Sequence, residues 1–204
     1  MKLFTLLTGF IVASVFSVSA YAQNPQEIPV RINGADQNGV AAEYGYSKDF
    51  TTKALENKLA AAGLGKKSRK NGFTYYKEVS WPAITVDKID VYFKVTGNSK
   101  KSAVNMLVAK GYDNFITSAA DAQAILNLKN FLGSLSEDIS AYQKQVILAA
   151  QQEKVAKAQR DAERSIKDAE RTAKRQKRED KQKEKYQKKL DAEQQKMKAL
   201  QSGN

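Results

Sequence analysis

Apolar positions recur along this chain with two different periods, and the change from one to the other divides it. Ile89, Val91, Phe93 and Val95 alternate with Asp90, Tyr92 and Lys94, then Gly97-Asn98 supplies a turn, and Val104, Met106 and Val108 alternate again up to Gly111. A period of two predicts strands with one buried and one solvated face, and the two runs predict a hairpin. Phe73 to Val79, aromatic and β-branched and ending at Trp81-Pro82, predicts another strand, and Gly39 to Tyr46 predicts a first one. Between them Phe50, Leu55, Leu59 and Ala62 keep one face of a helix, with Ser47 placed as N-cap and Gly63 as its left-handed stop.

From about Ser118 to Leu200 the period becomes helical. No Pro occurs there, and Gly133 alone interrupts a run of Ala, Gln, Lys, Arg, Glu and Leu. Some 80 residues of helix would span roughly 120 Å, against a radius of gyration of about 13 Å for a 100-residue domain. Most of that helix is therefore expected to have no domain surface to lie on. Leu128, Leu132, Leu135, Ile139, Tyr142, Val146 and Ala149 follow 4-3 spacing, a stripe that either covers the sheet or forms a seam between copies. Beyond it the stripe thins to Val155, Ala158, Ala162, Ile166, Ala169 and Ala173, vanishes from Lys174 to Lys185, and returns as Tyr186, Leu190, Met197 and Leu200.

The expected fold is α+β: a small antiparallel sheet in the order β-α-β-β-β with helices on one face, followed by a very long C-terminal charged α-helix. The boundaries expected are a signal peptide over 1–22, a flexible leader over 23–37, the α+β domain over 38–150 including the apolar start of the long helix, and an extended basic helical arm over 151–204. The first segment has Lys2, an apolar run from Leu3 to Val18 and small residues before a cleavage point between Ala22 and Gln23. Its apolar run falls short of the roughly 20 residues of a spanning helix. The mature chain is thus expected to be exported to the periplasm or cell envelope, with no transmembrane segment.

Charge and composition narrow the chemistry. The chain has 34 Lys and Arg against 22 Asp and Glu, a formal charge of +12, and neither Cys nor His. Disulfides, thiolate or imidazole metal sites and every dyad or triad built on those groups are excluded. Carboxylates, Lys, Tyr and Ser/Thr remain, without a diagnostic spacing, so no catalytic, cofactor-binding or metal-ligating residue is singled out. Gly63-Leu64-Gly65-Lys66-Lys67-Ser68 lacks the first Gly of a phosphate-binding loop, since position 60 is Ala, and it follows a helix rather than a strand. Tyr75, Tyr76, Trp81, Tyr92 and Tyr112 offer either a stacking face or core packing, and packing is the simpler account. Glu137 and Asp138, adjacent on a helix, point apart and form no acid/base couple.

Between Arg171 and Lys198 there are 12 basic residues against five acidic ones. Glu153/Lys157, Glu163/Lys167, Glu170/Lys174, Glu179/Lys183 and Glu184/Lys188 are favourable i,i+4 pairs together worth about 1 to 2.5 kcal/mol, and like-charge pairs such as Lys167/Arg171, Lys174/Arg178 and Lys181/Lys185 oppose them. The excess is understood either as solvation of an exposed helix or as contact with an acidic partner. The candidate contacts are Arg171, Lys174, Arg175, Lys177, Arg178, Lys181, Lys185 and Lys189 on the arm, and Lys66, Lys67, Arg69 and Lys70 in the loop after the first helix. Expected partners are an acidic envelope component, the membrane surface included, or an exported client. Homo-oligomerisation through the Leu128–Ala149 stripe is a further expectation, and nucleic acid ranks low because export removes the chain from it. About five contacts to duplex phosphates would give a log–log salt slope near −4.5.

The stretch Ile89-Asp90-Val91-Tyr92-Phe93-Lys94-Val95 with Gly111-Tyr112-Asp113-Asn114-Phe115 resembles segments of uncharacterised exported proteins of Gram-negative bacteria. In composition, with its leader, basic pI, missing Cys and long Ala/Gln/Lys helix, the chain is also similar to the periplasmic Skp/OmpH chaperones. That family holds unfolded outer-membrane proteins between basic arms made of helical hairpins set between strands, whereas here one terminal helix has no returning partner. The expected function is a non-enzymatic structural or interaction protein of the envelope whose basic arm contacts acidic partners. The alternatives are an Skp/OmpH-like holdase and a small enzyme using two carboxylates, as in glycoside hydrolysis.

Overall fold

The computed structural model describes residues 24–111 and 114–201. The expected signal peptide over 1–22 with its expected cleavage point at Ala22 and Gln23, and Tyr112 and Asp113, lie outside the described residues. Strands β1 (Gln26–Ile32), β2 (Ala35–Tyr44), β3 (Ser68–Lys70), β4 (Phe73–Ser80), β5 (Lys88–Gly97) and β6 (Ser102–Ala109) form one antiparallel sheet in the order β1-β2-β6-β5-β4-β3. Helix α1 (Lys48–Ala61) carries the chain from β2 to the far edge, and the four later strands meander back until β6 meets β2. Helix α2 runs unbroken from Ala122 to Gln201. The α+β class, the antiparallel sheet and the long C-terminal helix all stand as the sequence predicts. The strand count does not, because β1 and β3 are additional.

β1 occupies the segment expected to be a flexible leader. Its Asn, Gln and Pro residues suggest disorder, but Ile28, Val30 and Ile32 alternate, and Asn33-Gly34 takes positive φ at both positions (53° and 81°), the geometry of a tight hairpin turn. Pro29 is tolerated because β1 is an edge strand. β3 likewise lies inside the basic loop, joined to β4 through Asn71-Gly72.

The two faces of the sheet have separate cores. Val40, Ala42, Tyr44, Tyr76, Ile89, Val91, Phe93, Val104, Met106 and Val108 face α1 and the beginning of α2. Val30, Ile32, Phe73, Tyr92, Leu107, Ala109 and Phe115 make a smaller cluster on the other face. That cluster joins β1 to β4, which are not neighbours, so the sheet curls around it. Asn71 Nδ2 donates to Asn33 Oδ1, joining the turns of the two edge hairpins. Gly39 permits the curl, because a Cβ there would lie 3.0 Å from Val30 Cγ2 and 3.1 Å from Leu107 Cγ.

α1 begins and ends where its sequence places it. Ser47 Oγ accepts the Phe50 N–H at 3.3 Å, and Gly63 follows at φ 85°. Leu64 is buried and donates its N–H to Leu59 O, so the stretch that resembles a phosphate loop closes the helix instead. The first part of α2 covers the sheet: Leu128, Leu132, Leu135 and Ile139 are fully buried, and Tyr142 packs edge-on against Phe50. Tyr44 donates its hydroxyl proton to Leu132 O at 2.7 Å, and Trp81 stands edge-on to Phe131 at 4.8 Å. The last two stripe positions, Val146 and Ala149, are exposed. The expected homo-oligomer seam is therefore left with Tyr142, Val146 and Ala149, since its first four positions lie inside the domain.

Candidate anion-contact surface

The described chain forms two units, one ending at Gln145 and one beginning at Val146, and each holds one of the predicted basic groups. In the first unit the loop residues separate into different roles. Lys67 Nζ reaches Glu56 Oε1 at 2.6 Å, and Lys70 Nζ lies 5.8 Å from the centroid of the Tyr75 ring. Ser68, Arg69 and Lys70 form the short, fully exposed edge strand β3, where charge discourages strand addition from another chain. Lys66 and Arg69 point to solvent without an ion pair among the described residues. Edge protection, the Glu56 pair and the Tyr75 ring thus give three of the four side chains separate structural roles.

Two further polar clusters of the first unit are structural. Lys110 Nζ sits between Asp121 at 2.6 Å and Asp87 at 3.2 Å, and these hydrogen bonds hold its ammonium above its ordinary pKa. The contact ties the end of β6 to the loop before β5 and to the start of α2. Asp90 accepts from Tyr75 Oη at 3.0 Å and from the Glu78 N–H at 2.7 Å, fixing the bulge where Glu78 takes φ 51°. Burial, then this bond to Asp90, pushes the Tyr75 phenol well up, so it remains a proton donor. Tyr76, Trp81 and Tyr92 are buried, as core packing requires, and Tyr75 is half-buried and stacked on Tyr92 at 4.5 Å.

The described part of the second unit is helix alone, and every residue from Val146 to Lys198 is exposed. Of the five predicted i,i+4 pairs, Glu184/Lys188 alone closes among the described residues, at 2.9 Å; Asp168/Arg171 and Glu193/Lys196 close at i,i+3, at 3.6 and 3.0 Å. The helix therefore neutralises less of its own charge than the spacing suggests.

Helical geometry arranges what is left. Advancing about 100° per residue, Arg171, Lys174, Arg175, Lys177, Arg178, Lys181, Lys185, Lys188 and Lys189 fall within an arc of about 160°. Lys183 and all three carboxylates of this stretch, Glu179, Asp180 and Glu184, fall outside it. All eight predicted arm residues thus share one face. Lys188 is the ninth member, spaced from Lys185 and Lys181 as the others are. The 3-4 spacing continues backward through Lys167, Arg164, Arg160 and Lys157, but there Asp161, Glu163, Asp168 and Glu170 flank it and balance the charge.

No described helix is long and apolar enough to cross a membrane, and no group of acidic residues able to hold a metal ion occurs among the described residues. Comparison with protein-family models, with curated proteins and with solved structures finds no match.

Proposed function

We propose that this chain is an exported, non-enzymatic structural or interaction protein of the cell envelope, in which the small α+β domain carries a long basic helix that contacts acidic partners. The observation that carries this reading is the fully exposed stretch Arg171–Lys198, with 12 basic and five acidic residues and three closed ion pairs among the described residues. Like charges at i,i+3 and i,i+4 each cost a few tenths of a kcal/mol, a cost that a polyanion removes on binding. The leader over 1–22 supports export, and export points to acidic lipids, polysaccharides or proteins of the envelope rather than to nucleic acid.

The test titrates the full mature chain with an anionic vesicle, a sulfated polysaccharide and an acidic polypeptide across a salt series. Binding that weakens steeply with salt, and that is lost when Arg171, Lys174, Arg178, Lys181, Lys185 and Lys189 are all changed to Gln, supports the proposal. A slope near zero with every probe overturns it. Suppression of client aggregation that survives the six changes would favour a holdase acting through the domain instead.

A further inference from the structure

The one-sidedness of the arm's charge carries an inference about the shape of its partner. Between Arg171 and Lys189 nine basic residues share an arc of about 160° along about 27 Å of helix. A single strand lying along the middle of that arc leaves basic residues up to about 80° away on either flank. The arc suits a plane, onto which long Lys and Arg side chains from both flanks can reach down. Between Arg171 and Lys189 no apolar residue falls in the arc; Tyr186 lies about 20° beyond its edge, and Leu190 and Met197 lie farther round. A helix that inserts into the acyl region carries large apolar residues where it meets the bilayer. Within the arc this one presents its nine basic residues and Gln182.

We propose that Arg171–Lys189 is a peripheral membrane-binding face that lies flat on an anionic lipid surface, held by headgroup charge without insertion. The inference rests on the reading above that the arm meets an acidic partner, and it adds that the partner is planar. Clusters of four to eight basic residues suffice for such binding, and the attraction fades within a Debye length of the surface, about 10 Å at 0.1 M salt.

A charge-preserving rearrangement isolates the geometry. In the full mature chain, Arg171→Ala with Ala173→Arg, Arg175→Thr with Thr172→Arg, Arg178→Gln with Gln176→Arg, and Lys185→Gln with Gln187→Lys keep the net charge and composition while moving four charges to the opposite side. Five basic residues of this stretch then stand on each side. None of the eight positions belongs to the folded domain, and far-ultraviolet circular dichroism checks that α2 stays helical. Co-sedimentation uses vesicles of phosphatidylcholine alone and of phosphatidylcholine with phosphatidylglycerol, with soluble polyphosphate and heparin as non-planar anions.

The parent chain is expected to bind the anionic vesicles, to ignore the neutral ones and to dissociate in high salt. The rearranged chain is expected to bind the anionic vesicles roughly a hundredfold more weakly, while its affinity for the flexible soluble anions, which can wrap around a helix, changes little. Equal vesicle binding by the two chains overturns the planar face and leaves the acidic-partner reading standing. So does binding of the soluble anions without the vesicles. Binding of neither vesicles nor soluble anions overturns both.

Discussion

The two ends of α2 use the same spacing for opposite purposes. From Leu128 to Ile139 the 3-4 positions are leucine and isoleucine, fully buried against the sheet. From Arg171 to Lys188 the 3-4 positions are arginine and lysine, all exposed. Periodicity therefore specifies a face in both stretches, and residue type specifies what that face can meet: an apolar sheet in one case, an anionic surface in the other. Where both signals fade, between Lys144 and Glu170, the helix shows exposed, charge-balanced turns. Backbone propensity and scattered Ala carry it there.

The contrast is broken most directly at Leu135. Leu135→Ala should cost about 2 to 5 kcal/mol in urea-induced unfolding, because the side chain is wholly buried and leaves a cavity; a change below about 0.5 kcal/mol would mean that α2 does not complete this core. Next in size is the hydroxyl that fastens α2 to the sheet. Tyr44→Phe removes the bond to Leu132 O and should cost about 1 kcal/mol by the same measurement.

That tyrosine also makes the domain sensitive to alkali. Burial raises the Tyr44 phenol well above its ordinary value near 10, and burial first, then Asp90 for Tyr75 and Glu56 for Tyr76, raises those two as well. The native state thus holds these protons more tightly than the unfolded chain. The stability this contributes is complete below about pH 10 and declines as the pH climbs from there toward the folded values. Tyrosinate absorbance should show Tyr44, Tyr75 and Tyr76 ionising late, together with unfolding; their ionising at the unfolded pKa would contradict the packing described. The smallest effect belongs to the distal helix, where Ile166→Ala should change unfolding by less than about 0.5 kcal/mol because the side chain is already exposed.

Several elements were legible in the sequence for local reasons. The Ser47 cap, Gly63 stop and four-residue apolar spacing determine α1 within a few residues, and the alternation around Gly97-Asn98 determines the β5–β6 hairpin. The β1–β2 hairpin carried an equally local signal in Asn33-Gly34, masked by the polar composition around it. The strand order was not legible, because it depends on which edges meet after α1 crosses, and no single segment encodes that. Nor was the curl, which needs Gly39, Val30 and Leu107 to approach from three strands. On the arm, net charge identified the region and eight of its nine face residues, whereas one-sidedness appears only when positions are projected around the helix axis.

The placement of β2 between β1 and β6 has a consequence for how the domain is made. Val40 pairs with Met106, so one edge of the first hairpin finds its partner only after α1 and the three intervening strands have been synthesised. Until then β2 presents unpaired backbone groups to whatever strand is nearby. Closure of the β2–β6 ladder is a long-range event that loop entropy makes slow relative to the hairpins on either side of it. The same step completes the sheet surface on which Leu128, Leu132 and Leu135 pack, so those leucines have no finished surface to cover until β6 reaches β2.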